Sequence, residues 1–453
     1  MNKRLIAILS ILSLLVLLPL IPANAAAKAG EACSKLNTTS ITGSKKFTCI
    51  KSGKKLIWNK GVAVGSKSTT PIAKIPDPVV TDNSTYLSIS ECKLARVGNN
   101  SDLYIGFPRD AKYPPAVGDR KTVVLFVDFA DLSPNPKAFS EMKNVQIPHA
   151  EKTFEMISYG KYRLKFDLVE KVYRLPSTSD SYLKAGFENH PLGKPMRAMD
   201  HQKVISETVK AADADIDFSK YDFLNIITPD WKEIVEPGAS GAPNLNVDGK
   251  TFFLSNSGPP SEYIGDPTKI NFTTHEIGHI IGLTHIYDNY NQKYSATWDF
   301  MGATFAMTDL IGWNKFFLSW IDDSQVNCLS SDSTTQSVHL LTSVGSSTPG
   351  TKMVIIKLSP TTALGIENRR QTGLDKLKSS DEGVIVYKID TTKVDGTGAI
   401  QALSKLNKIT RDRAGNGAPL STMTPGESIS TDGFTIKVLK RSTNGDFVSI
   451  SRS

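Results

Sequence analysis

The chain of 453 residues has few cysteines, few histidines and, beyond its first 25 residues, no long apolar run. Its four cysteines permit at most two disulfides, which excludes a fold held together mainly by disulfides. No later stretch approaches the roughly 20 apolar residues that a membrane-spanning helix needs, so we expect no transmembrane segment in the mature protein. The histidines are also few, but three of the seven lie within eleven residues of one another.

The first 25 residues have the pattern of a secretory signal peptide. Lys3 and Arg4 precede an apolar stretch over residues 5–21, and Ala23-Asn24-Ala25 resembles a cleavage site. The alternative is an uncleaved N-terminal anchor, for which the apolar stretch is near the short limit. We therefore predict cleavage after Ala25 and a secreted, extracellular protein, a setting in which disulfides form.

Residues 26–62 are predicted to form a small module of short strands. Two strand-like stretches flank Ser52-Gly53, a hairpin turn signal. So small a unit needs a covalent staple, and Cys33 with Cys49 is the favoured pair among the three pairings that four cysteines allow. Cys92 and Cys328 are then left to pair. Residues 63–85, rich in Ser, Thr, Pro and Lys, are predicted to be a linker.

Positive charge is concentrated in this module. The formal net charge is +8, and losing Lys3 and Arg4 with the signal leaves +6. Residues 26–62 hold eight lysines and one glutamate, so the rest of the mature chain is near −1. This local basicity favours anionic cell-surface polymers as partners, or else only a soluble lysine-rich surface. We expect no nucleic-acid partner.

Apolar periodicity predicts an α+β fold from about residue 86. Continuous apolar runs at 122–129 and 223–227 predict buried strands, and alternation over 162–173 predicts a strand with one buried face. Amphipathic helices are predicted at 149–158 and 200–214. From about residue 331 the chain becomes rich in Thr, Ser and Val in short alternating runs, which predicts a β-rich region.

The most specific motif is His275-Glu276-Ile277-Gly278-His279-Ile280-Ile281-Gly282-Leu283-Thr284-His285. Residues four apart share one face of a helix, so His275 and His279 are expected to point the same way, one turn apart. Two imidazoles so placed suit Zn²⁺. Glu276 lies beside the first ligand but off the ligand face, which predicts a proton carrier rather than a ligand.

A third ligand six residues after His279 requires the helix to stop and the chain to turn back. Gly282 permits this because glycine accepts the left-handed conformation found at helix ends. His285 then completes a three-histidine site with one open position, the arrangement of catalytic rather than structural zinc. The sequence therefore predicts Zn²⁺ held by His275, His279 and His285, with Glu276 as general base.

This motif, followed by Met301 in a predicted turn, resembles the metzincin clan of zinc peptidases, in which a methionine turn lies beneath the three-histidine site. Other short stretches are similar to the immune inhibitor A family of secreted bacterial metallopeptidases. Those stretches are 154–160 with Leu164, 217–222, 282–288, 298–302, 312–313, 366–369 and 383–387 with Asp390.

The resemblance implies a zincin/metzincin-like catalytic domain over residues 86–330 and a β-rich C-terminal domain over residues 331–453. It implies a secreted zinc-dependent endopeptidase that acts on protein or peptide substrates. Met301 would have a packing role and would not be a ligand. Many relatives have an acidic residue at the place of His285, and histidine is the commoner zinc ligand.

Calcium is a second metal to consider. Many relatives carry an Asp- and Gly-rich insertion after the Tyr-Asp pair, whereas here Tyr221-Asp222 leads directly into the strand at 223–227. Asp213, Asp215 and Asp217 are spaced like oxygen ligands, but no glycine follows at the EF-hand position. We expect these aspartates to be solvated or to cap a helix.

Several alternatives stay open. Tyr287, Tyr290 and Tyr294 are candidates for stabilising an oxyanion, and sequence does not choose among them. Residues 63–118 could cover the cleft as a pro-segment, and Cys92 could reach the metal as a thiolate instead of forming a disulfide. A secreted binding protein with a vestigial peptidase domain, and a peptidase for cell-wall peptides or glycoprotein, are the rival functions.

Overall fold

The computed structural model describes residues 26–63, 76–82, 85–98, 103–185, 197–229, 239–240, 245–256, 270–286, 298–302, 308–333, 335–377, 379–403 and 422–453. The predicted signal peptide and the oxyanion candidates Tyr287, Tyr290 and Tyr294 lie outside these ranges. The chain divides into two compact units, Met1–Pro76 and Asp77–Ser453. Each is described by itself.

The first unit contains a small antiparallel sheet of four strands. They are β1 (Thr39–Thr42), β2 (Lys45–Ser52), β3 (Lys55–Trp58) and β4 (Val62–Ala63). β2 pairs with the three others, and the turn between β2 and β3 has Gly53 at a φ of +60°. The pairing of β2 with β3 confirms the hairpin, and the disulfide between Cys33 and Cys49 confirms the predicted pairing.

The N-terminal part of the second unit is built on a six-stranded sheet. The strands of this part are β5 (Gly118–Asp128), β6 (Tyr162–Arg174), β7 (Leu183–Ala185), β8 (Arg197–Met199), β9 (Phe223–Ile227), β10 (Ala239–Ser240), β11 (Leu245–Val247) and β12 (Lys250–Asn256). The sheet has the order β10-β12-β9-β5-β6, and β11 adds by pairing with β12. The four long strands β5, β6, β9 and β12 are parallel. Residues 122–128 of β5 and all of β9 are buried, as the sequence predicted, and burial alternates along the first half of β6.

Helices cover both faces of this sheet. They are α1 (Ala138–Glu141), which continues through residues 142–146 into α2 (Ile147–Ile157), then α3 (His201–Ala212), α4 (Phe272–Ile280) and α5 (Gly312–Phe317). The apolar side of α3 packs on one face through Val204, Ile205 and Val209. α2 and α4 share a second core on the other face. The amphipathic helices predicted at 149–158 and 200–214 are thus present.

β12 acquires three neighbours. Residues 253–255 pair with β9, and residues 255–256 pair with β10 on the side away from β9. Residues 250–252 pair with β11. Apolar alternation reports burial, and it carries no information about which neighbours a strand acquires.

The C-terminal part of the second unit is a sandwich of two sheets. Its strands are β13 (Val326–Ser330), β14 (Ser337–Leu341), β15 (Met353–Lys357), β16 (Thr362–Arg369), β17 (Gly383–Asp390), β18 (Ile400–Ala402), β19 (Ser428–Thr431), β20 (Phe434–Arg441) and β21 (Asp446–Arg452). One sheet has the order β13-β15-β16-β17-β18 and the other β14-β21-β20-β19. This β-rich region agrees with the texture of the sequence after residue 331, and the whole is a mixed α+β fold.

The five-stranded sheet uses both of its faces, because successive strand residues point in opposite directions. Val354 and Ile356 of β15 pack against the four-stranded sheet. Met353 and Ile355, on the same strand, pack in a separate core with Trp313 of α5. The β-rich region is therefore continuous in its packing with the helix that follows the histidine motif.

Cys92 and Cys328 form the second disulfide, as predicted, so the thiolate alternative for Cys92 is excluded. Within the predicted linker, Thr81 hydrogen-bonds to Val338 of β14. Residues 86–330 and 331–453 lie in one compact unit, and their division into two domains stays a prediction. Over the described part of the chain, no helix has the length and apolarity to cross a membrane.

Candidate metal centre

The first two histidines of the motif lie on α4, which is buried over its whole length. The helix begins after Asn271, whose side-chain oxygen is 2.7 Å from Nε2 of His149. Asn271 occupies the N-cap position of the helix without a capping hydrogen bond from its side chain. His275 and His279 are one helical turn apart, so their rings project from one face.

The helix stops where the sequence requires. Gly282 has a φ of +94°, its N–H donates to the carbonyl of His279 at 2.9 Å, and the N–H of Leu283 donates to the carbonyl of Gly278 at 2.9 Å. This pair of hydrogen bonds is the Schellman arrangement, which a glycine in the left-handed region allows. The chain reverses after it and brings His285 back toward the helix.

The Nε2 atoms of the three motif histidines converge. They are 3.2 Å apart between His275 and His279, 3.3 Å between His275 and His285, and 3.0 Å between His279 and His285. Three nitrogens bound tetrahedrally to one zinc at about 2.0–2.1 Å would be about 3.3–3.4 Å apart. The donor set and its spacing therefore fit a zinc-sized ion, and these residues could hold one.

The opposite ring nitrogens are each held by a hydrogen-bond acceptor. Nδ1 of His275 is 3.0 Å from the carbonyl oxygen of Phe300, and Nδ1 of His279 is 2.8 Å from that of Leu283. Nδ1 of His285 is 2.9 Å from Oδ2 of Asp395. A carbonyl oxygen accepts only, so Nδ1 of His275 and of His279 carries the proton and Nε2 presents a lone pair.

Burial keeps the imidazoles of His275 and His279 neutral by lowering their pKa values. It lowers the pKa of His275 well below the ordinary value, and the neighbouring histidines lower it further. Burial and His285 lower the pKa of His279 to about 3. Neutral imidazole is the form that binds a metal, and adjacent lone pairs repel one another unless a cation lies between them.

Glu276, which follows His275 directly on α4, is buried with 7% exposure. The position of Met301 also agrees with the resemblance. A methyl group on Gly278 would lie 2.5 Å from Sδ of Met301, so the methionine packs directly under the ligand helix. Glycine at 278 is therefore needed for this close approach.

Asp299 fixes the turn that carries Phe300 and Met301. Its Oδ1 accepts from the N–H of Met301 at 2.7 Å, and its Oδ2 accepts from the N–H of Ile311 at 2.9 Å and from Nδ2 of Asn314 at 2.9 Å. Burial raises the pKa of Asp299 to about 7, against these donors, which lower it. The turn supports the site because the carbonyl of Phe300 holds His275.

A cluster of buried charged side chains lies next to this turn. Nζ of Lys315 is 2.7 Å from Oδ2 of Asp309, and Arg369 bonds to Glu367 at 3.0 Å and to Asp375 at 2.6 Å. All five side chains are at most 1% exposed. We call these five residues the ion cluster. It links α5 to β16, and the guanidinium of Arg369 lies 5.6 Å from the ring of Trp298.

Sequence reasoning missed three residues around the site. Asp395 lies 110 positions from His285, and no local pattern marks it. Arg109 donates from Nε to the carbonyl of Ile281 at 3.0 Å, and the ring of Tyr113 contacts Gly282. These two lie within the segment 63–118 that the sequence offered as a pro-segment, and they pack at the end of the ligand helix.

The aspartates considered for calcium have protein partners. Asp217 accepts from the N–H and hydroxyl of Ser219 and pairs with Nζ of Lys220 at 3.2 Å. Asp215 pairs with Lys171. This is the capping and solvated role that the sequence favoured for them.

The fold and the site together define an α+β protein with a three-histidine centre able to bind a metal ion. No family model and no curated protein matches the chain. Solved structures similar to it include wild-type OgpA from Akkermansia muciniphila in two crystal forms, each 15% identical, with TM-scores of 0.29 and 0.27, covering 66% of this chain and 95% and 94% of OgpA. Another is catalytically inactive OgpA in complex with an O-glycopeptide substrate, glycodrosocin, at 12% identity and a TM-score of 0.26, covering 66% and 94%. TM-scores this low carry no argument about function. The argument about function therefore depends on the site alone.

Proposed function

We propose that the protein is a secreted zinc-dependent endopeptidase of the metzincin type that hydrolyses peptide bonds of extracellular proteins. The observation that carries the proposal is the convergence of three Nε2 atoms at 3.0–3.3 Å. Glu276, the residue after the first of these histidines, is the carboxylate that the motif supplies. Three protein ligands leave a position open, which distinguishes a catalytic zinc from a structural one. The resemblance to the immune inhibitor A family points the same way.

A zinc ion at such a centre would supply a Lewis acid that polarises a carbonyl oxygen and lowers the pKa of water toward about 7. His275, His279 and His285 would hold it. Glu276 would take the proton from the attacking water and deliver it to the leaving amine. The tyrosines at 287, 290 and 294 remain the candidates for the oxyanion, and they lie outside the described residues.

The test is cleavage of casein or a quenched fluorescent peptide by the mature protein, with and without a chelator and with zinc added back. The Glu276→Ala variant should bind zinc like the parent, since Glu276 is not a ligand, yet lose cleavage by about 10²–10⁴-fold. Cleavage that survives the chelator or this substitution would refute the proposal. Zinc binding without cleavage of any protein, glycoprotein or cell-wall peptide would favour the rival reading of a secreted binding protein.

We also propose that the basic N-terminal module binds anionic cell-surface polymers. Ile41 and Val62, on β1 and β4, are 66% and 68% exposed and both pair with exposed Lys46. This face combines exposed apolar groups with positive charge. The test is binding of the mature protein to a soluble polyanion at increasing salt, because charge-driven association weakens with ionic strength. Binding that ignores salt, or that is unchanged in Lys46→Glu, would exclude this role.

A further inference from the structure

The third histidine is held in a different way from the first two. His275 and His279 belong to α4, so the hydrogen bonds of a helix fix their backbone. His285 lies beyond the Schellman turn, where no helix restrains it, and its side chain is 22% exposed. A ligand so placed needs another restraint if its ring is to keep one orientation.

Asp395 supplies that restraint from the β-rich region. Its Oδ1 accepts from the backbone N–H of His285 at 2.6 Å and lies 3.2 Å from Nδ1 of the ring. Its Oδ2 lies 2.9 Å from the same Nδ1. One carboxylate therefore holds both the backbone and the ring of His285. Because it accepts at Nδ1, it directs the lone pair of Nε2 toward the other two histidines.

The turn that presents Asp395 is itself well ordered by hydrogen bonds. The N–H and hydroxyl of Thr397 both donate to the carbonyl of Val394, and Gly396 has a φ of +68°. The N–H of Asp390 donates to the carbonyl of Ala399 at 2.9 Å and closes the base of the turn. The turn therefore holds a defined position between β17 and β18.

Buried contacts anchor this turn to the region of the metal centre. The hydroxyl of Thr391 donates to the carbonyl of Ala95 at 2.6 Å. Ala399 and Ile400 are fully buried in the same apolar core as Ile286 and Trp298, which flank the third ligand and the methionine turn. The carboxylate is thus brought to His285 by the packing of the five-stranded sheet.

We propose that Asp395 is a positioning residue for His285, so that the β-rich region completes the metal centre. Residues 86–330 alone would then carry the three ligands but lack the group that orients one of them. The inference rests on the proposed function for the identity of the metal, and it concerns binding of that metal rather than the chemistry of cleavage. Carboxylates that hold a ligating histidine in this way typically contribute about 10–100-fold to metal affinity.

The experiment measures the zinc dissociation constant of the full mature chain by competition with a chromophoric chelator, without substrate. Asp395→Ala should weaken zinc binding by about 10–100-fold, and Asp395→Asn, whose amide oxygen still accepts one hydrogen bond, by less. With cobalt in place of zinc at saturation, both variants should change the visible absorption, because the orientation of one ligand has changed.

The matched control is Asp390→Asn in the same turn. Asp390 accepts from the N–H of Thr392 at 3.0 Å and from its hydroxyl at 2.6 Å, so its carboxylate bonds within the turn. It should leave zinc affinity within about threefold of the parent, well inside the effect of a supporting carboxylate. Equal weakening by the Asp390 and Asp395 variants would show a loosened turn and would overturn the inference.

Different experimental results would refute the role of Asp395 and the proposed peptidase function. An unchanged zinc affinity and cobalt spectrum in Asp395→Asn and Asp395→Ala would overturn the inference even if the parent cleaves peptides. Tight zinc binding that depends on Asp395, in a protein that cleaves nothing, would uphold the inference and refute the peptidase proposal.

Discussion

The three-histidine centre and the ion cluster lie in the same unit, and both bury ionisable side chains, but only the ion cluster contains its own opposite charges. In the ion cluster Lys315 and Arg369 face three carboxylates at hydrogen-bonding distance. At the histidine centre three imidazole nitrogens converge on one another, and the carboxylate of Asp395 contacts His285. In the ion cluster the protein itself supplies the partner of each charge, whereas the histidine centre needs a bound cation.

Both sites are buried, and what distinguishes the structural site from the binding site is whether the protein supplies partners for the buried polar groups. Buried charges are tolerated when each has a partner, and removing one partner leaves an uncompensated charge. Buried imidazole lone pairs that converge repel one another, and a metal ion between them removes that repulsion. We therefore expect the ion cluster to control stability and the histidine centre to control metal binding.

The largest expected effect is on the ion cluster. Lys315→Met removes the cation beside Asp309 and should lower the free energy of unfolding by about 3–5 kcal/mol, the cost of leaving a buried charge unpaired. Denaturant unfolding measures it. Lys388→Met is the control, because Lys388 pairs with Asp432 at 42% and 29% exposure, and such pairs contribute about 0–1 kcal/mol. Equal effects of the two substitutions would contradict a special role for the ion cluster.

Next in size is the effect of the metal. At free zinc 100 times the dissociation constant, binding to the native state alone should raise the free energy of unfolding by about 2.7 kcal/mol. The His279→Ala variant should show no such gain, since one of the three ligands is missing. Thermal or denaturant unfolding with and without zinc checks this. A gain that persists in His279→Ala would place the metal elsewhere.

A smaller loss is expected at the contact beneath the ligand helix. Gly278→Ala places a methyl group 2.5 Å from Sδ of Met301, and such overpacking costs about 1–3 kcal/mol. Combining it with Met301→Ala should relieve the clash, so the double variant should lose less stability than the two single losses together. Additive losses would show that the methionine does not pack against Gly278.

The smallest effect, taken per pH unit, is a pH dependence of the metal-free protein. Burial lowers the pKa of His279 to about 3, below the roughly 6.5 of an unfolded histidine. Between these values the unfolded chain binds a proton that the native state does not. Native stability should therefore fall as the pH falls through this window, by on the order of 1 kcal/mol per pH unit for this group. His279→Gln should show a shallower slope between pH 6 and 4, and an unchanged slope would refute this assignment.

The histidine centre was predictable from sequence because its geometry is local. The spacing of His275 and His279 sets their common face, and Gly282 marks the place where the chain turns back. The two buried strands at 122–129 and 223–227 were equally accessible, since continuous apolar runs report burial directly. Both disulfide pairings also followed from the short loop between Cys33 and Cys49.

What sequence could not supply were contacts made across the fold. Asp395 reaches His285 only because a turn between two strands of the β-rich region packs beside the ligand helix. The ion cluster joins Lys315 of α5 to residues 367–375, although Glu367 and Arg369 had been noted as part of a family resemblance. The neighbours of β12 were missed for the same reason: strand pairing depends on the whole sheet.

The most direct test of the account is the zinc content and coordination of the purified mature protein, by elemental analysis and X-ray absorption at the zinc edge. The account predicts one zinc per chain, bound by three imidazole nitrogens at about 2.0–2.1 Å with a further light-atom ligand. Substoichiometric zinc, or one zinc whose coordination is unchanged by His285→Ala, would contradict it.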